Sequence, residues 1–338
     1  MQDLISFAQT RADLTVPHLV LNPIDPLIDA GHVAQAVDAA IADLDAVNIA
    51  LFSADQLYDY RAQRPIVTYS DGKIADFVAP ELYLNLVTDM SGQSFLYLGG
   101  QEPDFNWEKV AKSIISIVER FQVRQVYSLA AMPGTAPHTR PADMLLRSTA
   151  PDSSTKFIKG QVQHYGALPD LFEFYAEKND IPVMNIRVRV PFYIAKGAQP
   201  FISGALAAIK MIANLGGPRL PLGDLEQLED QQVEGLNQIL AENPELQTLL
   251  EHLEEDYDSA AGDESFVKTE EESPAIPSAE EIGQAAERFL AAQTDNPLQE
   301  IFSVGDKDGK KQDNLPSAAE SSERGDTSAP RRRGRHHY

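Results

Sequence analysis

The chain contains no cysteine, only one tryptophan, and 28 basic residues against 51 acidic ones. Without thiols it has no disulfide framework, no thiolate nucleophile and no Cys-ligated zinc or iron–sulfur centre. Long apolar runs are missing too. The most apolar helix-like stretch, Phe201 to Leu215, is interrupted by Lys210 and falls short of the ~20 residues that span a bilayer. The opening residues, MQDLISFAQTRAD, carry Asp3 where a secretory signal carries Lys or Arg. A soluble cytoplasmic protein with no membrane partner is expected. Also absent are a GxxxxGKS or GxxxxGKT phosphate loop, a GxGxxG following a strand, HExxH and GxSxG. The usual nucleotide, zinc-protease and serine-hydrolase readings therefore lose their support, and no cofactor or metal is expected.

What is present is an ordinary globular composition, 43% hydrophobic over 338 residues, enough for one large domain or two modest ones. The net charge of −23 is concentrated in one segment. Residues 224–281 hold 19 acidic side chains and a single Lys268, whereas residues 1–223 hold 23 acidic against 18 basic and residues 282–338 hold nine of each. Such a surface repels nucleic acid and anionic lipid, whose binding requires Lys or Arg at the phosphates. The final RRRGRHHY (Arg331 to Tyr338) is an exception. It reads either as a basic arm or as a solvated tail touching the chain's own acidic segment.

Apolar runs HLVLNP (18–23), NIALFS (48–53) and QVYSLAAMP (125–133) read as buried parallel strands, and FLYLGG (95–100) as a further strand. In VMNIRVRVPFY (183–193) the residues alternate, with Arg187 and Arg189 on one face and Ile186, Val188 and Val190 on the other. Helical periodicity occupies Ala30–Leu44, Trp107–Phe121, Leu168–Lys178 and Ile202–Leu215. Alternating strands and helices predict an α/β domain over 1–223, with a mixed, mostly parallel sheet and helices on both faces. From Asp224 the pattern is helical only, giving an acidic hairpin, an acidic linker over 258–277 and a last helix opened by the capping box Ser278–Glu281. Residues 224–292 form this segment, and 293–338 read as a disordered tail.

Sites in such sheets gather where strands run out into loops, and four loops stand out. After strand 18–23, Asp29 and Gly31 precede a helix; the Asp suits an N-cap, and free N–H groups there suit an anion. Residues 55–65 combine Arg61 and Arg64 with acidic and tyrosine neighbours, fitting an ion-pair knot or recognition of a carboxylate. Gly99 and Gly100 lead to Glu102 and Asp104, a possible carboxylate pair or simple complements to a helix dipole. The fourth, Met132 to Pro141, is stiffened by Pro133, Pro137 and Pro141 and presents His138, Thr139 and Arg140. A histidine beside an arginine tends to stay neutral, which suits a general base. His138 equally suits a hydrogen bond to the loop backbone.

These loops carry a resemblance. DAG at Asp29–Gly31, DYRAxRP at Asp59–Pro65, GGxEPD at Gly99–Asp104 followed by Trp107, and above all MPxxxPHTRP at Met132–Pro141 resemble the proteasome assembly chaperone 2 family in its actinobacterial branch. VQxxGALPxLxE (Val162–Glu173), VPFYIA (Val190–Ala195) and LExxYD (Leu253–Asp258) fit the same pattern, so the likeness runs from about residue 15 to 292. It implies a three-layer α/β/α, phosphorylase/hydrolase-like fold with an added helical segment. It also implies a non-enzymatic, chaperone-like interaction factor that forms homo-oligomers and has proteasome subunits as partners. The chain departs from the hydrophobic–Tyr–any residue tail of eukaryotic assembly chaperones, ending His336-His337-Tyr338. The alternative is a small-molecule enzyme, a hydrolase or carboxylate–amine ligase, working through His138 and Glu102. The candidate ligand or partner set is Asp29, Gly31, Arg61, Arg64, Gly99, Gly100, Asp104, Pro137, His138, Thr139 and Arg140.

Overall fold

A computed structural model describes residues 4–8, 14–150, 163, 165–241 and 243–260. The acidic linker beyond 260, the helix expected from Ser278 and the tail lie outside the described residues.

In chain order the elements are β1 (Ile5–Phe7), β2 (His18–Ile24), a 3-10 turn (Ala30–His32), α1 (Val33–Ala42), β3 (Ala46–Phe52) and the short α2 (Ala54–Leu57). A hairpin of β4 (Ile66–Ser70) and β5 (Lys73–Val78) follows, then β6 (Leu82–Thr88), β7 (Ser94–Gln101), α3 (Trp107–Arg120), β8 (Gln125–Gly134) and β9 (Asp143–Ser148). The chain continues through α4 (Leu168–Lys178), β10 (Val183–Pro191), α5 (Ile202–Asn214), α6 (Leu225–Ala241) and α7 (Pro244–Ala260).

Among the described residues, eight strands form one mixed sheet in the order β1-β3-β6-β7-β2-β8-β10-β9. The central four, β7, β2, β8 and β10, run parallel, as helical crossovers require. Outside them the pairing is antiparallel, so β6, β1 and β9 run against the central four and β3 runs with them. The run expected as a parallel strand at 48–53 is β3, antiparallel to both β1 and β6. An apolar run reports burial and not direction, and β3 is joined to its neighbour β6 by a reversal instead of a crossover helix.

Helices cover both faces. On one, α3 and α4 pack Val110, Ile114, Ile117 and Phe172 over Leu19, Leu21, Leu84, Leu96 and Leu98. On the other, Val33 and Val37 of α1 and Ala205 and Ile209 of α5 cover Val20, Tyr97, Tyr127, Ile186 and Val188. Each such aliphatic or aromatic side chain contributes about 1.5–3 kcal/mol on burial. One polar network is buried with them. Asn22 donates to the Ala34 carbonyl (2.9 Å) and to the Tyr97 hydroxyl (3.0 Å), while Tyr97 and Tyr83 both donate to Oδ1 of Asp38 (2.5 and 3.0 Å). It fixes the height of α1 above β2, β6 and β7.

The helix expected from Ala30 begins only at Val33. Gly31 (φ 59°) and His32 (φ 49°) are left-handed and turn the chain before it enters α1. The glycine pair closing β7 has a packing cause as well. A Cβ on Gly99 would strike the Tyr97 ring at 2.5 Å, and one on Gly100 would lie 2.1 Å from the Glu81 carbonyl oxygen. Gly100 also has φ 107°, a backbone conformation that glycine alone adopts readily. Gly100→Ala therefore combines a backbone clash with left-handed strain. It is expected to destabilise the chain by about 2–5 kcal/mol in urea unfolding, whereas Gly72→Ala, at a position with open space around it, is expected to be much milder.

Candidate functional site at the strand ends

The loops leaving β2, β7, β8 and β10 meet at the carboxyl edge of the parallel strands, and polar groups there need partners. Asp29 is buried and pairs as an isolated bridge with Ala131 of β8. Its carboxylate accepts the N–H groups of Ala34 (2.6 Å) and Gln35 (3.1 Å), capping α1 from a position ahead of its first residue, Val33. Burial pushes its carboxyl up, and the same N–H bonds oppose that rise. The N–H of Gly31 donates to Ala195 (2.8 Å) and its carbonyl accepts from Phe201 (2.7 Å), so the turn is tied to the loop after β10 and offers no free N–H at that position.

Glu102 leaves the end of β7, is buried, and accepts the N–H of Leu168 (2.6 Å) at the start of α4. Burial is the main reason its carboxyl is pushed up to about 7; the Leu168 N–H opposes this, and the charges of Asp25, Asp170 and Asp104 add to it. Asp104 points the other way. It accepts the Asp59 N–H (2.7 Å) and the Gln63 side chain (3.2 Å), organising the segment that carries Arg61 and Arg64. Both arginines are exposed there. Further along α4, the buried Glu173 binds Arg147 (2.6 Å) and Asn185 (3.1 Å), and Arg187 pairs with Asp170. Arg187 therefore joins α4 to β10 on the face opposite Ile186, Val188 and Val190.

The loop after β8 is the most heavily connected. His138 is buried, with its backbone N–H bound to the Tyr193 hydroxyl (2.9 Å), its Nδ1 against the same hydroxyl (2.7 Å) and its Nε2 facing Oδ1 of Asn237 on α6 (3.3 Å). The amide oxygen can only accept, so Nε2 carries a proton, and in the neutral ring Tyr193 then donates to Nδ1. Burial lowers its pKa in agreement, against the Asn237 bond and the charge of Glu254. Arg140 grips Asp258 of α7 through Nε (2.8 Å) and Nη2 (2.6 Å) and reaches Glu254 through Nη1 (3.3 Å). Thr139 donates to the same Glu254, and the Tyr257 hydroxyl donates to the Pro141 carbonyl (3.1 Å). Pro137 and Pro141 hold the loop in the shape this latch needs. Between the loop and α6 lies a cavity of about 670 Å³, with His138, Arg140 and Ser203 on one side and Glu229, Glu234 and Asn237 on the other.

The structure thus brings His138, Thr139 and Arg140 together under α6 and α7. It sets Asp29 and Glu102 at the starts of two different helices and leaves Arg61 and Arg64 on a separate surface. Sequence reasoning had not assigned roles to Tyr193, Asn237, Glu254, Tyr257 or Asp258. Three of these belong to the LExxYD pattern and one to VPFYIA, so the motifs that carry the resemblance were the signal.

A three-layer α/β/α domain whose strand-end loop is latched by a C-terminal helical pair defines the class. The PAC2 family model matches residues 24–240, and the chain belongs to that family. A Corynebacterium glutamicum protein of unknown function is 26% identical with a TM-score of 0.70, covering 77% of this chain and 98% of its own. A Mycobacterium tuberculosis protein of unknown function is 28% identical with a TM-score of 0.69, covering 76% and 90%. A second Mycobacterium tuberculosis protein, described as a proteasome-assembly chaperone homologue, shares the fold at 21% identity and a TM-score of 0.61, covering 69% and 99%. No curated protein matches.

Glu102 gives a pH test. A carboxyl whose pKa is higher folded than unfolded binds its proton more tightly in the native state. Its contribution is complete below the ordinary 4.5 and is lost as pH rises through about 7. Glu102→Gln keeps an acceptor for Leu168 and removes the charge. The variant is expected to match the parent near pH 5 and to exceed its stability by about 2 kcal/mol near pH 8.5 in urea unfolding. A variant less stable than the parent at pH 8.5 would contradict this.

Proposed function

We propose that the chain is a chaperone-like, non-enzymatic interaction factor that works as a homo-oligomer and engages proteasome subunits in the cytoplasm. The observation that carries this reading is the engagement of the polar strand-end groups: Asp29 and Glu102 hold helix starts, both ring nitrogens of His138 have partners, and Arg140 is clamped by two carboxylates. Groups so occupied organise the loop and leave little freedom for proton transfer. Family membership and a structural neighbour described as a proteasome-assembly chaperone homologue support the same reading. In it, residues 224–292 are a partner-facing addition to the 1–223 core, and the acidic faces of α6 and α7 present the charge that a basic partner surface would meet.

A second reading rests on the cavity beside His138. Opening of the latch would uncover Arg140 and His138 to a small anionic ligand, as a hydrolase or carboxylate–amine ligase would require. Glu102, held against α4, is not among the groups lining that cavity.

Affinity purification of the full chain from its native cytoplasm at moderate salt, read by mass spectrometry, separates the two. Proteasome α-subunits retained in stoichiometric amount are expected, and their capture should be lost when the exposed Glu251, Glu255 and Asp256 of α7 are changed to Gln, Gln and Asn. Recovery of the chain without proteasome subunits, or with a bound metabolite, would overturn the first reading.

A further inference from the structure

The cavity between the loop after β8 and α6 has a lining charge that the latch leaves unmatched. α6 contributes Glu229, Asp230, Val233, Glu234, Asn237 and Gln238. These positions fall in two adjacent i, i+4 rows and so lie on one face of the helix. The acidic residues occupy its earlier turns and the amides the next. The basic side chains that reach the helical pair are already engaged, Arg140 by Glu254 and Asp258, and Lys210 by Glu226. Glu229, Asp230 and Glu234 have no ion pair or hydrogen bond with another described residue. On the other side of the cavity Ser203 of α5 is only 8% exposed, and its hydroxyl has no hydrogen-bond partner among the described residues. That hydroxyl is not sealed in as the Ser128 hydroxyl is, so it opens into the cavity that Ser203 lines. A buried polar group without a protein partner is costly unless something else binds it.

We infer that this cavity binds a primary alkylammonium group, with Glu229, Asp230 and Glu234 as its counter-ions and the Ser203 hydroxyl accepting one of its N–H bonds. An ammonium carries three donors and no acceptor, which suits carboxylates and a hydroxyl oxygen that are all free to accept. Val233, Ala142 and Pro141 offer an apolar wall for the methylene stem that such a group carries. An anion meets the opposite conditions. It would face three carboxylates, while the charge of Arg140 is already met by two others. The start of α5 adds a partial positive charge of about half a unit, which three carboxylates outweigh. A metal ion is disfavoured as well, since no group of three His, Asp or Glu among the described residues is arranged to hold one. The acidic segment 224–281 draws cations toward the cavity, whose volume of about 670 Å³ is that of an ordinary small-molecule site. The inference rests on neither reading of the function. A lysine side chain of a partner would serve the first, and a free amine the second, with the latch closed and the sign of the ligand reversed.

Isothermal titration calorimetry of the full chain at fixed ionic strength tests this, with 1,5-diaminopentane, a blocked peptide carrying a single central lysine, and glutarate as probes. At least one amine probe is expected to bind with one site per chain, and glutarate is expected not to bind. Tighter binding of the peptide assigns the ammonium to a protein partner, and tighter binding of the diamine assigns it to a free amine. Ser203→Ala is expected to weaken amine binding about tenfold, as loss of a hydrogen bond to a charged group does, and Glu229→Gln/Glu234→Gln to weaken it further. Asp224→Asn/Glu226→Gln removes the same charge outside the cavity and is expected to bind as the parent does, each variant keeping the parent's far-ultraviolet circular dichroism. The inference is overturned if neither amine binds, if glutarate binds in their place, or if Asp224→Asn/Glu226→Gln loses as much affinity as Glu229→Gln/Glu234→Gln. Retention of proteasome subunits is read separately, so failure of the chaperone reading leaves this result intact.

Discussion

The grip of Arg140 on Asp258 and Glu254 is the contact on which the arrangement of the strand ends depends. Residues 224–281 hold 19 acidic side chains and one lysine, so an acidic helical pair brought against the sheet needs a cation from elsewhere. The loop after β8 supplies it. The planar guanidinium meets the Asp258 carboxylate with two parallel N–H bonds, a geometry that fixes orientation as well as distance. Asp258 is held below its usual carboxylate range by this contact, and Arg140 is shifted further toward its charged form. Around it the Thr139, Tyr257 and His138 bonds align α6 and α7 over the loop, and the cavity is what remains between them.

The same economy recurs at the other strand ends. Buried carboxylates are placed where helix N–H groups would otherwise lack partners, Asp29 for α1 and Glu102 for α4. Glycines appear where a neighbouring backbone or ring leaves no room for a Cβ. The consequence is an edge whose most reactive-looking residues are bound to the protein's own backbone and side chains. The exposed acidic residues of α6 and α7 and the exposed residues of the β4–β5 hairpin lie away from that edge.

The parallel centre of the sheet could be read from the sequence because its strands are buried on both faces and its helices keep a 3.6-residue apolar stripe, as in α3. The β10 alternation was legible because Ile186, Val188 and Val190 are buried on one face while Arg187 and Arg189 on the other meet Asp170 and Asp143. The β4–β5 arm was not, since its apolar residues are exposed and bear no relation to this chain's core. The antiparallel pairing of β3 with β1 and β6 was hidden because pairing is set by connections, not composition. At the site, prolines and the charged pair marked the loop 132–141. Its partners lie more than 50 residues away at Tyr193 and more than 110 away on α7, and no local pattern encodes such a pairing. A capping role for Asp29 was among the sequence readings, but the left-handed Gly31 and His32 that let it reach Ala34 and Gln35 were not.

The latch is tested most directly by a double-mutant cycle between Arg140 and Asp258, using Arg140→Met, Asp258→Asn and the double variant, read by amide hydrogen exchange along α7. The account predicts faster exchange across α7 in each single variant, a double variant no worse than either, and unchanged exchange in the central strands. Additive effects of the two substitutions, or single variants whose α7 exchanges like the parent, would contradict it.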